Sequence, residues 1–554
     1  MGEIKHIIHP FEPVYDASSK VLILGSFPSV VSREKNFYYM NANNRFWKVM
    51  EALFQEEIHD KKQFCLDHHI ALWDVIYSCT IEGSSDSSIQ NVQVNDIPLL
   101  CQNSNIQAIF LTGKKAFQLR NRTYLLTIYK QCKCKNAFRS ACRIIQSYFG
   151  EIMKKVELLA PAGNMEALKA AVNAGCDAVY LGLKSFSARA FAGNFSHEEF
   201  IEAIHYCHTR NVKIYCTINT MLYETEIENA KKEVDFLYEN DCDAILIQDL
   251  GLFHYVRTCY PDMPVHCSTQ MHIHNLKGVE FMKNQGAERV VLARETPIEI
   301  IQQACQMGVE IEVFTYGAIC ISYSGQCMMS ASVKNRSANR GMCAQCCRLK
   351  YTRVDGSRFK EGDYILSPKD LNVIDQLPSL LDAGVSSLKI EGRMKRSEYV
   401  YLVIKTFREA IDAYYANKTY HVSSERLKQL EEMFYRGFSN GHLFHDDVTQ
   451  RMSQYRPNHQ GIAIGKVLAY RNGRVQVKLS DDLYQNDGLR IINEPHDTGL
   501  SAIKIYKNDL LVNHAKANDI VWITCPSDPA PKKGQILRKT TDTHLLDWIH
   551  AQME

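Results

Sequence analysis

The 554-residue chain lacks any long hydrophobic run. No apolar stretch approaches the ~18 residues a membrane helix needs, and Met1 to Pro10 carries none of the apolar core of a secretory signal. These absences predict no membrane span and a cytoplasmic location. An excess of either charge is also missing: 64 Lys and Arg stand against 62 Asp and Glu, a net charge of +2. Any nucleic-acid partner must then meet a local basic patch rather than the field of the whole chain. There is no low-complexity segment or tandem repeat, and 45% hydrophobic with 23% charged residues excludes a disordered or collagen-like chain. Two catalytic patterns are absent as well, a His-Glu-x-x-His zinc helix and an obvious Ser-His-Asp set. Cysteine, by contrast, is plentiful. Its odd total of 19 argues against a fully paired disulfide framework, and in a reducing compartment such thiols stay free or bind metals.

The length allows three or four domains at ~150 residues each, and the chain reads as three. In the first, Lys20-Val-Leu-Ile-Leu-Gly25 and Ala108-Ile-Phe-Leu-Thr-Gly113 read as buried strands with glycine exits and helical stretches between them, an α/β pattern with a parallel sheet. This part spans residues 1–119. A basic linker, 120–152, follows. It holds Arg120, Arg122, Lys130, Lys133, Lys135, Arg139 and Arg143, with no acid from Arg120 to Phe149.

The second part, 153–457, alternates short apolar strands with amphipathic stretches. The expected strands are Val156–Ala162, Ala178–Leu183, Lys213–Thr220, Ala244–Asp249, Pro264–Gln270, Arg289–Glu295, Ile311–Gly317 and Ser387–Arg393. Asn164 can cap the first helix and Gly175 can end it. Eight β-α units in a row predict a TIM-like (β/α)8 barrel. The third part, 458–554, places Asn472-Gly473 between two alternating strands, a strong hairpin signal, and predicts a small β-barrel.

The gap between the seventh and eighth strands is much longer than the others and holds Cys320, Cys327, Cys343, Cys346 and Cys347. Thiolates are soft ligands suited to zinc or iron–sulfur clusters, and five in one loop is not how a core uses cysteine. Cys320 directly follows strand seven, which puts a metal at the barrel mouth, where such barrels keep their active sites. Structural zinc remains the plainer alternative. Cys132 and Cys134 are read as chance spacing. The other strand ends are polar, among them Asn219, Gln270, Arg294, Glu391 and Arg393, and suit an anionic organic ligand or an extruded base. His266, His272 and His274 are expected in helix-cap or surface roles.

Several stretches carry a resemblance: Glu157-Leu-Leu-Ala-Pro-Ala-Gly-Asn164, Ser268-Thr-Gln270, Glu312 to Ser330, Asn339-Arg-Gly-x-Cys343 to Arg348, and Lys389-Ile-Glu-Gly-Arg-Met394. The second and third parts resemble peptidase family U32, also called collagenase-like, whose members include prephenate-dependent hydroxylases of tRNA and ribosomal RNA. The resemblance implies an enzyme that makes 5-hydroxyuridine in tRNA or 5-hydroxycytidine in rRNA. It also implies an iron–sulfur cofactor of the 4Fe-4S kind on Cys320, Cys327, Cys343 and Cys347, with prephenate as co-substrate and RNA as partner. Arg294, Glu391 and Arg393 are the expected catalytic residues. Arg348, Gln270 and Asn219 are expected to bind the co-substrate, with Arg294, Arg348 or Arg393 pairing its carboxylates. A peptidase, or an RNA-binding protein with a structural cluster, stays as the alternative. The family usually has proline where this chain has Cys346, and a histidine where it has Tyr316.

His9-Pro-Phe, Gly25-Ser-Phe-Pro-Ser29, Phe37-Tyr-Tyr39 and Asn44-Arg-Phe-Trp47 resemble the hypoxanthine branch of the uracil-DNA glycosylase superfamily. Asn44 fits the catalytic asparagine, and DNA becomes a partner through this part. The closing Leu-Pro-Ser-Thr-Ser-Pro-like loop is not found, and the resemblance is followed as far as Leu119. The reading is a truncated, inactive glycosylase fused by a frameshift to a neighbouring frame that starts near Met153; the alternative is a genuine divergent domain whose basic tail adds nucleic-acid affinity.

Overall fold

The computed structural model describes residues 4–41, 46–54, 56–82, 89–106, 108–111, 155–357, 359, 362–417, 421–453, 456–493 and 496–553. Asn44, the basic linker, Cys132 and Cys134 lie outside the described residues. The chain divides into two compact units, Met1–Lys154 and Lys155–Glu554.

The first unit carries the expected parallel sheet, with Val21–Gly25 between Ile70–Asp74 and Ala108–Leu111. Every residue of the middle strand is buried. A second, antiparallel sheet of Ile4–Ile8, Ile76–Glu82 and Gln90–Val94 was not anticipated, because Gln90-Asn-Val-Gln-Val is too polar to signal a strand. At the carboxyl end of the parallel sheet His9 Nε2 lies 3.0 Å from Asp74 Oδ2, both side chains buried. Tyr39 stacks on Phe46 at 4.1 Å.

In the second unit all eight expected barrel strands form. They are β1 (Glu157–Pro161), β2 (Ala178–Leu181), β3 (Lys213–Ile218), β4 (Ala244–Ile247), β5 (Val265–Cys267), β6 (Arg289–Val291), β7 (Glu310–Ala318) and β8 (Ser387–Ile390). Each pairs in parallel with the next, and β8 returns to β1 through Ser387↔Glu157, which closes the barrel. Asn164 caps the first helix by accepting from Ala167 N at 2.9 Å. The helices pack outside on a shared apolar core that includes Leu168, Phe200, Val234, Val256, Val279 and Ile301.

The barrel interior departs from the apolar layers usual for this fold. Arg289 Nη1 lies 2.5 Å from Glu157 Oε1 and 3.0 Å from Glu312 Oε2, and Lys389 Nζ lies 2.7 Å from Glu312 Oε1. Tyr215 donates to Glu157 at 2.6 Å. His266, expected at a cap or on the surface, is instead inside the barrel, edge-on to Tyr215. Burial, with Arg289, Lys389 and Lys213, holds its pKa well below the ordinary histidine range, so it is a neutral ring.

The third part is an eight-stranded antiparallel sheet sharing one apolar core. Its first hairpin, Ile462–Arg471 with Arg474–Leu479, turns at Asn472-Gly473, both at positive φ. A final helix, Thr543–Met553, returns to the barrel, where Leu545 and Ile549 join the core. No described helix is long and apolar enough to cross a membrane.

Candidate functional site

A tight cavity of about 40 Å³ opens at the carboxyl ends of the strands. Arg294, Glu391, Arg393, Asn219 and Gln270, all expected from the sequence, line it together. Each follows the last residue of a barrel strand by one to three positions, so closure of the barrel is what brings them together. Glu391 Oε2 accepts from Arg294 Nη2 at 2.9 Å and from Arg189 Nη2 at 2.7 Å. Burial alone would raise the Glu391 carboxyl; Arg189, Arg294 and Arg393 outweigh it and hold the pKa below the usual carboxylate range. Arg294 lies over the Phe314 ring at 3.9 Å.

Among the described residues Arg393 has only neutral partners: Ser187 Oγ at 2.8 Å, Thr217 Oγ1 at 3.1 Å and Asn194 Oδ1. Burial pulls its pKa down to about 10, which still leaves it charged near neutral pH. The Nε donors of Arg294 and Arg393 are buried without a protein partner. Such donors cost about 1–3 kcal/mol each when left unsatisfied, and an anion in the cavity would relieve that cost. Lys389 also lines the cavity, but Glu312 neutralises it. Three arginines against one carboxylate leave the cavity with two unbalanced positive charges.

Asn219 accepts from Ala188 N at 3.0 Å and donates to Ser268 Oγ at 3.1 Å, so it shapes the wall. Arg348 is not brought to the cavity. Its guanidinium donates to Ser367 Oγ at 2.9 Å, Pro368 O at 2.8 Å and Ile319 O at 3.4 Å, which fastens the cysteine loop instead. Sequence reasoning missed Arg189, since it stands in the loop between β2 and the following helix with no strand end to mark it.

The loop between β7 and Asp370 brings its cysteines to the same mouth. Burial chiefly raises the Cys347 thiol to about 11; Arg348 lowers it, and Cys320, Cys343 and Cys327 raise it further. Those mutual effects make the four thiols electrostatic neighbours. Arg189 is held above its ordinary range first by Glu391, against burial, with Cys320 adding to it, so Cys320 lies within electrostatic reach of a cavity residue. Cys343 Sγ accepts from Gln345 N at 3.4 Å and from the Ser330 hydroxyl at 3.9 Å. Among the described residues no group of His, Cys, Asp or Glu has the spacing of a single-ion site. Thiols with no hard oxygen ligand are the donor type of an iron–sulfur cluster, and Cys343 accepts the kind of hydrogen bonds a cluster ligand takes. Cys346 is buried. Tyr316, in the place of the family's histidine, packs against Tyr399, Phe407 and Phe438 and is a core residue.

Residues 12–159 match the family model "Uracil DNA glycosylase superfamily", a range that runs through the basic segment. The "tRNA hydroxylation protein P1" of Bacillus subtilis (strain 168) is 38% identical over 51% of this chain and 69% of its own length. The "Collagenase" of Porphyromonas gingivalis (strain ATCC BAA-308 / W83) is 36% identical over 57% and 80%. The "23S rRNA 5-hydroxycytidine C2501 synthase" of Escherichia coli (strain K12) is 33% identical over 64% and 55%. Residues 163–453, more than half of the chain, match the family model "Peptidase family U32", and the chain belongs to that family.

Proposed function

We propose that the chain is an RNA-modifying enzyme that hydroxylates a pyrimidine of tRNA or rRNA in a prephenate-dependent reaction. The observation that carries the reading is the arginine cavity with two unbalanced positive charges, at the end of the barrel from which the cysteine-rich insertion leaves β7. Two relatives named for RNA hydroxylation support it.

Cys320, Cys327, Cys343 and Cys347 would hold the cluster, which when bound supplies one-electron chemistry. The chain's own residues bind and orient. Arg393 and Arg294 take the two carboxylates of prephenate, each with a free buried Nε donor. Glu391 stays ionised and fixes the guanidinium planes of Arg189 and Arg294. Gln270 offers an amide, which both donates and accepts, to the edge of an unstacked pyrimidine. The collagenase name of one relative supports a peptidase, but a cysteine peptidase uses one activated thiolate beside a histidine, whereas this insertion concentrates several thiols.

Nucleoside mass spectrometry of tRNA and rRNA from a deletion strain, with and without the gene restored, tests the reading. A 5-hydroxypyrimidine should disappear and return. If no hydroxylated pyrimidine is lost, the proposed function fails.

A further inference from the structure

The cavity is too narrow to explain how a polynucleotide would be held, and the surface around it carries an unusual set of exposed rings. Phe191, between β2 and the following helix, is 58% exposed; Tyr223, just past β3, is 61% exposed; Tyr323, in the insertion after β7, is 65% exposed. They stand on the same loops as the cavity residues Arg189 and Asn219 and on the loop of the four thiols. Large apolar groups left exposed together mark an interaction site rather than a fold requirement.

Each ring has a cation or imidazole beside it. The Arg336 guanidinium lies 4.8 Å from the Phe191 ring and that of Arg340 lies 4.0 Å from Tyr223. The His272 ring lies 5.6 Å from that of Tyr323. Each guanidinium is within cation–π reach of its ring, and both ring residues are still more than half exposed. The arginines are themselves held. Arg340 donates to Met221 O at 2.5 Å and pairs with Glu226 at 2.6 Å, and Arg336 donates to Met342 O at 3.2 Å. Gly325 and Gly341, at positive φ, let the insertion touch the rim; a Cβ on Gly341 would stand 2.4 Å from Ser187 O, and one on Gly325 2.1 Å from Gln270 O. The two arginines are thus preorganised beside Phe191 and Tyr223.

Charge selects the partner. From Val313 to Val354 the chain has no Asp or Glu, but it has Lys334, Arg336, Arg340, Arg348, Lys350 and Arg353. Glu226 offsets Arg340 and Asp363 lies 3.6 Å from Lys350, and the rest leave the insertion basic in a chain of near-zero net charge. Exposed rings beside fixed cations match unpaired bases on a phosphate backbone. A duplex hides its base faces and offers rings nothing to stack on.

Resting on the RNA-modifying reading, we propose that Phe191, Tyr223 and Tyr323 form a stacking platform for single-stranded RNA, holding the nucleotides that flank the base presented to the cavity. The insertion supplies the phosphate contacts.

The test is fluorescence anisotropy of the full chain with a labelled single-stranded oligouridine, a duplex of equal length and a poly-glutamate competitor, without prephenate. The single strand should bind at least tenfold tighter than the duplex. Phe191→Ala and Tyr223→Ala should each weaken it by roughly 5- to 150-fold, the range spanned by one base–aromatic stack, while Tyr223→Phe binds as the wild type does. Unchanged binding in both alanine variants, equal affinity for duplex, or displacement by poly-glutamate as effective as by unlabelled RNA would each overturn the platform. The readout needs no turnover. Ring-dependent RNA binding in a protein whose loss removes no hydroxylated nucleoside would sink the enzymatic reading and keep the platform. Hydroxylation by a protein whose alanine variants bind RNA normally would do the reverse.

Discussion

Replacing Arg393 by Gln removes one of the two unbalanced charges of the cavity without emptying its place. The glutamine amide can still donate to Ser187, Thr217 or Asn194, the partners of the guanidinium. What it cannot supply is the charge or the spare Nε donor. A charge-assisted hydrogen bond is worth about 1.5–3 kcal/mol, and about 1.4 kcal/mol is tenfold in affinity. Prephenate binding should therefore weaken roughly 10- to 150-fold. Arg294→Gln should weaken it comparably, because its own spare Nε is lost too. Glu391→Gln should act in the opposite direction, since it frees Arg189 and Arg294 from their shared carboxylate. Isothermal titration calorimetry on each variant measures the change, with thermal melts to show that each remains folded. Binding depends on a guanidinium whose pKa burial pulls down to about 10, so affinity should hold through neutral pH and fall as pH rises through that value. Folded Arg393→Gln and Arg294→Gln proteins that bind prephenate within twofold of the wild type would refute the assignment of this cavity.

Three further outcomes are expected. Anaerobically purified protein should contain iron and sulfide, and Cys320→Ser should lose both; equal iron in the variant would remove Cys320 from the ligand set. Burial would raise Glu157, but Arg289, Lys213 and Tyr215 take it down from 4.5 to about 2. A depressed carboxyl stabilises above its unfolded pKa, so wild type should exceed Glu157→Gln by about 3 kcal/mol at pH 7, and urea titrations should show the gap closing as pH falls from 4.5 through about 2. Burial takes Lys395 from 10.5 down to about 7. Its charge is then held at a cost below pH 7, so Lys395→Met should melt above the wild type at pH 6, with the advantage shrinking as pH rises from 7 toward 10.5; a constant advantage across that range would contradict the shift.

Much of the barrel was legible because its signals are local. A strand buried on both faces reads as a short apolar run, Asn164 marks the start of a helix, and Asn472-Gly473 marks a turn. The cavity was legible in part for the same reason: barrel sites lie at strand ends, which pointed to Asn219, Gln270, Arg294, Glu391 and Arg393. The rest depends on partners that only closure brings near. Glu157 and Arg289 are 132 positions apart in sequence, so no window could reveal that each satisfies the other inside a barrel expected to be apolar. Arg348 looked free to bind a carboxylate, whereas three oxygens on the cysteine loop and its exit hold it. These long-range pairs also say why the interior tolerates charge. Glu157, Arg289, Glu312 and Lys389 alternate in sign from β1 through β6 and β7 to β8. Lys389 then reaches the cavity wall, where Glu391 meets Arg189 and Arg294. Replacing such a network by apolar residues is often neutral for stability, while removing a single partner costs about 3–5 kcal/mol. The network is therefore poorly explained as a source of stability. It is better explained by the cavity it supports: with Lys389 neutralised from below by Glu312, the positive excess rests on Arg393 and Arg294, the two groups with donors to spare.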